Sequence, residues 1–169
     1  MKKILYGCCY IADLDQDNIT YVDIIPGLIK SHNCIYICDT IENINFNDYD
    51  IIICSPPCNY YSRANYRRNT SNYSQKTKHL LPYCINAAFE SNKPFIIENV
   101  RNDKLFNELD LPKGIFIYKH GRHTYFTNRM INVENIEQKP DNIKNISSKK
   151  RQGGENVNNV FKYFIELYK

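Results

Sequence analysis

The chain has no tryptophan, little alanine and only 6 glycines in 169 residues. None of its apolar runs approaches the roughly 20 residues that a membrane-spanning helix needs, which excludes a helical membrane protein. No secretory signal opens it, and its 7 cysteines are odd in number and irregularly spaced. A disulfide framework is therefore not expected, and the chain is expected to be intracellular and cytoplasmic. No internal repeat is present. Charge of either sign is not in large excess: the formal net charge is +4 and the pI is about 8.6, compatible with a polyanionic partner without demanding one. The shortage of glycine and alanine accompanies an abundance of Asn, Ile, Tyr and Lys, a bias that an AT-rich coding genome would produce.

What is present suits one domain over residues 1–169 with one core. β-branched and aromatic runs predict strands at Ile4–Tyr10, Ile19–Asp23, Cys34–Cys38, Tyr49–Cys54, Pro94–Glu98 and Ile115–Tyr118. Helices are predicted over Gln75–Glu90, with Ser74 as N-cap, over Asp103–Leu109, and from Asn156 to Leu167. Strands separated by helices or long crossings give an α/β fold with a mostly parallel central sheet. The polar stretch 132–152 reads as an exposed loop or a reduced recognition insertion, with a disordered connector as the alternative.

In a parallel sheet the residues at the carboxyl ends of strands converge on one crevice. Ser55-Pro56-Pro57-Cys58 follows the run Ile51–Cys54, and Glu98-Asn99-Val100 ends the run that begins at Phe95. A cysteine and a glutamate should thus share a pocket. Asp23 and Asp39 also end strands, where carboxylates commonly accept hydrogen bonds from a ribose and an adenine amino group, so an adenosine-containing cofactor is suggested. After Cys58, Tyr60, Tyr61, Tyr66 and Tyr73 alternate with Arg63, Arg67, Arg68, Lys76 and Lys78, pairing stacking rings with phosphate-binding charge. No metal is expected: Cys54, Cys58, His120 and His123 fit no common zinc spacing, and Pro56-Pro57 would be an unusual knuckle.

These residues carry a resemblance. Asp23-Ile24, Cys38-Asp39, the Ser-Pro-Pro-Cys turn with Tyr61-Ser62 and Ala64-Asn65, then Glu98-Asn99-Val100, Arg122-His123 with Tyr125-Phe126-Thr127, and Gly154-Glu155-Asn156-Val157 stand in the order seen in DNA (cytosine-5) methyltransferases. The chain most resembles the compact members found in bacteriophages, which act in or against restriction-modification. The resemblance implies a Rossmann-like methyltransferase fold and S-adenosylmethionine as methyl donor, held by Gly7, Asp23, Ile24, Asp39, Thr40, Pro57, Asn156 and Val157. It implies Cys58 as the nucleophile that adds to cytosine C6, because a thiolate both adds and leaves well. It also implies Glu98 as the group that binds and protonates the base edge, Asn99 as its positioner, and Arg122 as positive charge near the base or the Cys58 loop. Tyr61, Ser62, Arg63, Asn65, Arg67 and Arg68 would contact DNA, or RNA such as tRNA, with the target base flipped out or already single-stranded. The chain departs from the family at the first motif, where Tyr6–Ala12 offers one glycine. Asn59 stands where Gln is usual, Thr124 stands in place of a second arginine, and few residues separate Phe126 from Gly153. Sequence specificity should then be low or come from a partner subunit, a second copy or another methyltransferase chain. A catalytically silent relative that binds nucleic acid or such a partner is the alternative reading.

Overall fold

The computed structural model of the chain describes residues 2–9, 14, 17–25, 34–132, 136 and 153–169, with side chains from 157 onward in the last helix. Most of the stretch 132–152 lies outside these residues. Seven strands form one sheet: β1 (Ile4–Gly7), β2 (Ile19–Asp23), β3 (Ile35–Cys38), β4 (Ile51–Cys54), β5 (Phe95–Val100), β6 (Phe116–His120) and β7 (His123–Thr127). Their order is β3-β2-β1-β4-β5-β7-β6, and β7 runs antiparallel to both its neighbours while β1 to β5 are parallel. This is the Rossmann-like methyltransferase fold expected. The direction of winding reverses between β1 and β4, which opens a crevice at their carboxyl ends.

Each strand alternates its side chains between two cores. Leu5, Val22, Ile52, Phe95, Ile97 and Phe126 face helix α2 (Leu80–Glu90), which buries Leu81, Cys84, Ile85 and Ala88 against them. Ile4, Tyr6, Tyr21, Ile53, Ile96 and Tyr125 face helix α4 (Gly153–Tyr168), whose Val157, Val160, Phe161, Phe164 and Ile165 recur at helical spacing. Phe161 meets Tyr6 and Tyr125 edge-on, at ring-centroid distances of 5.4 and 6.3 Å. None of the described helices is long and apolar enough to cross a membrane.

The helix expected over Gln75–Glu90 is two helices, α1 (Asn72–Thr77) and α2, and the cap of the first is Ser71. Pro82 explains the break. Its ring has no N–H and would clash with the carbonyl of Lys78 four residues back. That carbonyl instead accepts a hydrogen bond from the Tyr61 hydroxyl at 2.8 Å. The helix at Asp103 is shorter than expected, α3 (Asp103–Phe106), and β1 ends at Gly7. Beyond it Cys8 adopts φ +54, the left-handed region.

Phe161→Ala, which removes a fully buried ring between two tyrosines, should lower the unfolding free energy by about 3–5 kcal/mol. Urea titration should show a lower midpoint at unchanged slope; a midpoint near that of the wild type would contradict this packing.

Candidate active site

The carboxyl ends of β1 to β5 and the start of β7 meet at one edge of the sheet. Because β7 is antiparallel, its first residue, His123, lies at the edge where the parallel strands end, in register with Val100. The cleft there has a volume of about 570 Å³ and is lined by Cys8, Asp23, Asp39, Cys58, Glu98 and His123 among others. That volume lies within the range of small-molecule sites.

Cys58 sits on a loop tied at several points. Asn99 Nδ2 donates to the Pro56 carbonyl at 3.0 Å, and the Ser62 amide donates to the Cys58 carbonyl at 2.8 Å. Buried Asn102 donates to the Tyr61 carbonyl at 2.6 Å. Asn99 therefore positions the cysteine loop and not the Glu98 carboxylate, since consecutive strand residues point to opposite faces of the sheet. Cys58 is partly exposed, the access that thiolate chemistry requires. Two other thiols are buried in the cores and held in the neutral form. Hydrogen bonds with Cys54 and Cys8, together with burial, keep the Cys84 thiol well above the usual range, and burial pushes Cys9 up to about 12.

Glu98 and His123 form the closest polar pair of the site, Nδ1 to Oε1 at 2.5 Å, with side chains 15% and 5% exposed for histidine and glutamate respectively. Arg122 stands elsewhere. It is exposed in the turn between β6 and β7, beside Gly121 at φ +58, where its carbonyl accepts from the Arg101 amide at 2.7 Å. Strand alternation turns His123, not Arg122, toward the glutamate. The histidine was visible in the Arg122-His123 motif, but its role depends on the register of β7 on β5, which sequence spacing does not give.

At the other end of the cleft, Asp23 closes β2 and Asp39 follows β3. Asp23 Oδ1 accepts from the Ile25 amide at 3.0 Å, and Asp39 Oδ1 accepts from the Thr40 amide at 2.7 Å and from Asn43 at 2.9 Å. Asp39 Oδ2 keeps no protein partner among the described residues, and Asp23 meets backbone amides but no side-chain donor there. Burial raises the Asp23 carboxyl above its ordinary value, opposed by the amides of Ile25 and Ile24. Ile24, Thr40 and Pro57 also line the cleft, joined by Ile25 and Ile41, so two acceptors stand beside an apolar wall. This pair of acceptors fits the hydroxyls and amino group of a nucleoside. Gly7 lies beneath the cleft: a Cβ there would stand 2.3 Å from Ile41 Cδ1 and 3.0 Å from Cys54 Sγ, so its part is close packing. Val157 is fully buried in the α4 core, away from the cleft, and the side chain of Asn156 lies outside the described residues. Tyr73 and Thr77 of α1 cover the cleft from above, a placement that follows from the helix break at Lys78.

The basic segment after Cys58 divides in two. Tyr61 is 3% exposed and packs on Phe106, so its ring is not open to a nucleic acid. Asn65 donates to the Asn59 carbonyl at 2.7 Å and to Ser74 Oγ at 2.9 Å. Arg68 donates from Nη2 to the Ser62 carbonyl at 3.0 Å and from Nε to the Asn65 carbonyl at 3.2 Å. These three hold the loop together, with Ser62. Arg63 and Arg67 remain exposed, and the Arg67 guanidinium lies 5.4 Å above the ring of Tyr66, itself 84% exposed.

Residues 1–110 match the family model described as C-5 cytosine-specific DNA methylase. Among solved structures the chain is similar to "Putative methyltransferase yhhF" from Escherichia coli, at 13% identity with 73% of each chain covered and a TM-score of 0.43. No curated protein matches the chain in sequence.

Burying Asp23 as a carboxylate is unfavourable, so the folded state binds its proton more tightly than the unfolded chain does. Its contribution to stability is full below the ordinary carboxyl value of 3.8 and is lost as pH rises through the higher folded value. Asp23→Asn keeps the acceptor for the Ile25 amide and should melt above the wild type at neutral pH. The gap should close on acidification toward pH 4; a constant gap across this window would show that burial of the charge is not its cause.

Proposed function

The chain belongs to the C-5 cytosine-specific DNA methylase family, and we propose that it transfers a methyl group from S-adenosylmethionine to C5 of cytosine in DNA through a Cys58 adduct at C6. The observation that carries this reading is the convergence of Cys58 and Glu98 on the cleft whose far end holds Asp23 and Asp39. A nucleophile, an acid and a nucleoside-binding pair thus share one cavity.

Cytosine C5 is weakly nucleophilic until a group adds at C6. The Cys58 thiolate forms the S–C6 bond, the C5–C6 double bond opens, and its electrons move through the ring toward N3, where Glu98 delivers a proton. The negative charge lost by sulfur is thereby neutralised on the base, and C5 becomes an enamine carbon. After methylation the C5 proton passes to water, the C5–C6 double bond re-forms as the S–C6 bond breaks and returns the thiolate, and N3 gives its proton back to Glu98. S-adenosylmethionine supplies the electrophilic methyl when bound. Asp23 and Asp39 would hold its adenosine against Ile24 and Thr40. The loop ties from Asn99, Asn102 and Tyr61 fix the Cys58 backbone beforehand, so little ordering is left for the reaction step. Arg63, Arg67 and Tyr66 form the exposed face beside it and suit a phosphate backbone and an unstacked base.

S-adenosylmethionine should raise the melting temperature of the wild type, because a ligand that binds only the folded state stabilises it, and Asp23→Ala should lose that shift. No shift at millimolar ligand would favour the binding-only reading. Cys58→Ser should abolish transfer to cytosine-containing DNA with the cofactor shift intact, and Glu98→Gln should slow it by about 10²–10⁴-fold. Transfer surviving without Cys58 would refute the adduct. Replacing Arg63 and Arg67 together by Ala should reduce the salt slope of DNA affinity by about one for each phosphate no longer neutralised, without a change in fold. Arg68→Ala should instead lower the melting temperature, since its bonds are internal to the loop.

A further inference from the structure

The buried Glu98 carboxyl must present one defined oxygen to a base, yet no lysine or arginine nitrogen lies within 4.0 Å of it among the described residues. Its surroundings come from three strands and one loop. Tyr6 of β1 and Tyr125 of β7 stand near it, and burial first, opposed at Tyr6 by Ser55 and with the Glu98 charge adding at both, holds the two phenols in the neutral form. The Tyr125 hydroxyl has no hydrogen-bond partner among the described residues, and the Tyr6 hydroxyl faces Ser55 of the loop after β4. His120 of β6 pairs in register with His123, and burial lowers its affinity for a proton. Cys58 lies across the cleft. His123 is thus the one group among the described residues that grips the carboxyl directly, on Oε1, while Oε2 keeps no protein partner there.

On the reading of function above, we propose that His123 is the positioning residue for Glu98: its Nδ1–H holds Oε1, so that Oε2 alone is offered to the base in the cleft that Cys58 also lines. The same grip serves both forms of the acid, because Nδ1–H donates to Oε1 whether Oε2 carries its proton or has delivered it. The histidine is fixed by the pairing of β7 on β5, a rigid element, and so sets the carboxyl plane before substrate arrives. An asparagine at position 123 can place its Nδ2 where the imidazole Nδ1 now stands, whereas a leucine fills the space and offers no donor.

The test is transfer to cytosine-containing DNA by the wild type, H123N, H123L, E98A and the H123L/E98A double variant, with melting temperatures measured with and without S-adenosylmethionine. H123L should lower kcat about 100-fold with little change in KM for DNA, and H123N should recover to within about 10-fold of the wild type. With Glu98 already removed, H123L should make less than about a 2-fold further difference, since the two residues act through one interaction. The wild type should also show a strongly downfield imidazole proton that E98A and H123N lack. An equal loss from H123L in the presence and absence of Glu98, or H123N no better than H123L, would overturn the positioning role and leave the proposed reaction standing. A wild type that binds the cofactor but transfers nothing would overturn both.

Discussion

The constraint on which this site rests is the antiparallel entry of β7 between β5 and β6. A parallel strand there would bring its carboxyl end to the edge that bears the cleft and take its first residues to the far side. Running backwards, β7 delivers His123 opposite Val100 and so beside Glu98, at 2.5 Å. A carboxyl only 5% exposed needs a partner, because an unpaired buried charge is far costlier than a paired one. The topology supplies that partner from a strand 25 residues downstream. The same reversal stacks Tyr125 behind the carboxyl and Phe126 into the opposite core, so one strand serves the site and both hydrophobic layers.

The cysteine loop depends on a second set of constraints, all of them hydrogen bonds to its backbone. Carbonyls of Pro56, Cys58, Tyr61, Ser62 and Asn65 are each taken by a named donor. A loop with its carbonyls satisfied by protein donors has little reason to rearrange when a ligand arrives, and the side chains left over define its outer surface. Arg68 and Asn65 face inward for this purpose, which leaves Tyr66 and Arg67 outward as a stacked ring and guanidinium. Charge in the sequence is shared by both groups; availability is not. A basic loop is therefore read correctly only once each cation is assigned either to the loop's own carbonyls or to solvent.

Much of the architecture was legible in the chain because it is local. β2 has the bounds read from its residues, and Asp23, Asp39, Cys58 and Glu98 reach one edge because each follows a short apolar run in a parallel sheet. The interruption at Lys78 was also local, since Pro82 forbids a continuous helix, but the apolar spacing on both sides masks it. Asn99 could have been placed by strand alternation alone. What sequence does not carry is the partner across the sheet: the choice of His123 over Arg122 is made by register between strands far apart in sequence, and a shift of one residue would exchange them. The burial of Tyr61 is of the same kind, decided by Phe106 and Asn102 beyond the second helix.

The scarcity of glycine at the end of β1 bears on whether the first turn can still serve a cofactor. Glycine does two things in such turns: it allows close approach and it allows positive φ. Here the two are separated. Gly7 provides the close approach, since any Cβ would strike Ile41, and Cys8 takes the left-handed conformation at φ +54, where a residue with a Cβ is strained by about 1–2 kcal/mol. Two contacts offset that strain: the Cys8 amide donates to the Val22 carbonyl at 2.8 Å, and its thiol meets the thiol of Cys84. Strain of this size held by surrounding contacts gathers at functional sites, and Cys8 lines the cleft. The site requires a backbone path around the end of β1, and a cysteine can hold that path wherever its neighbours supply more free energy than the turn consumes.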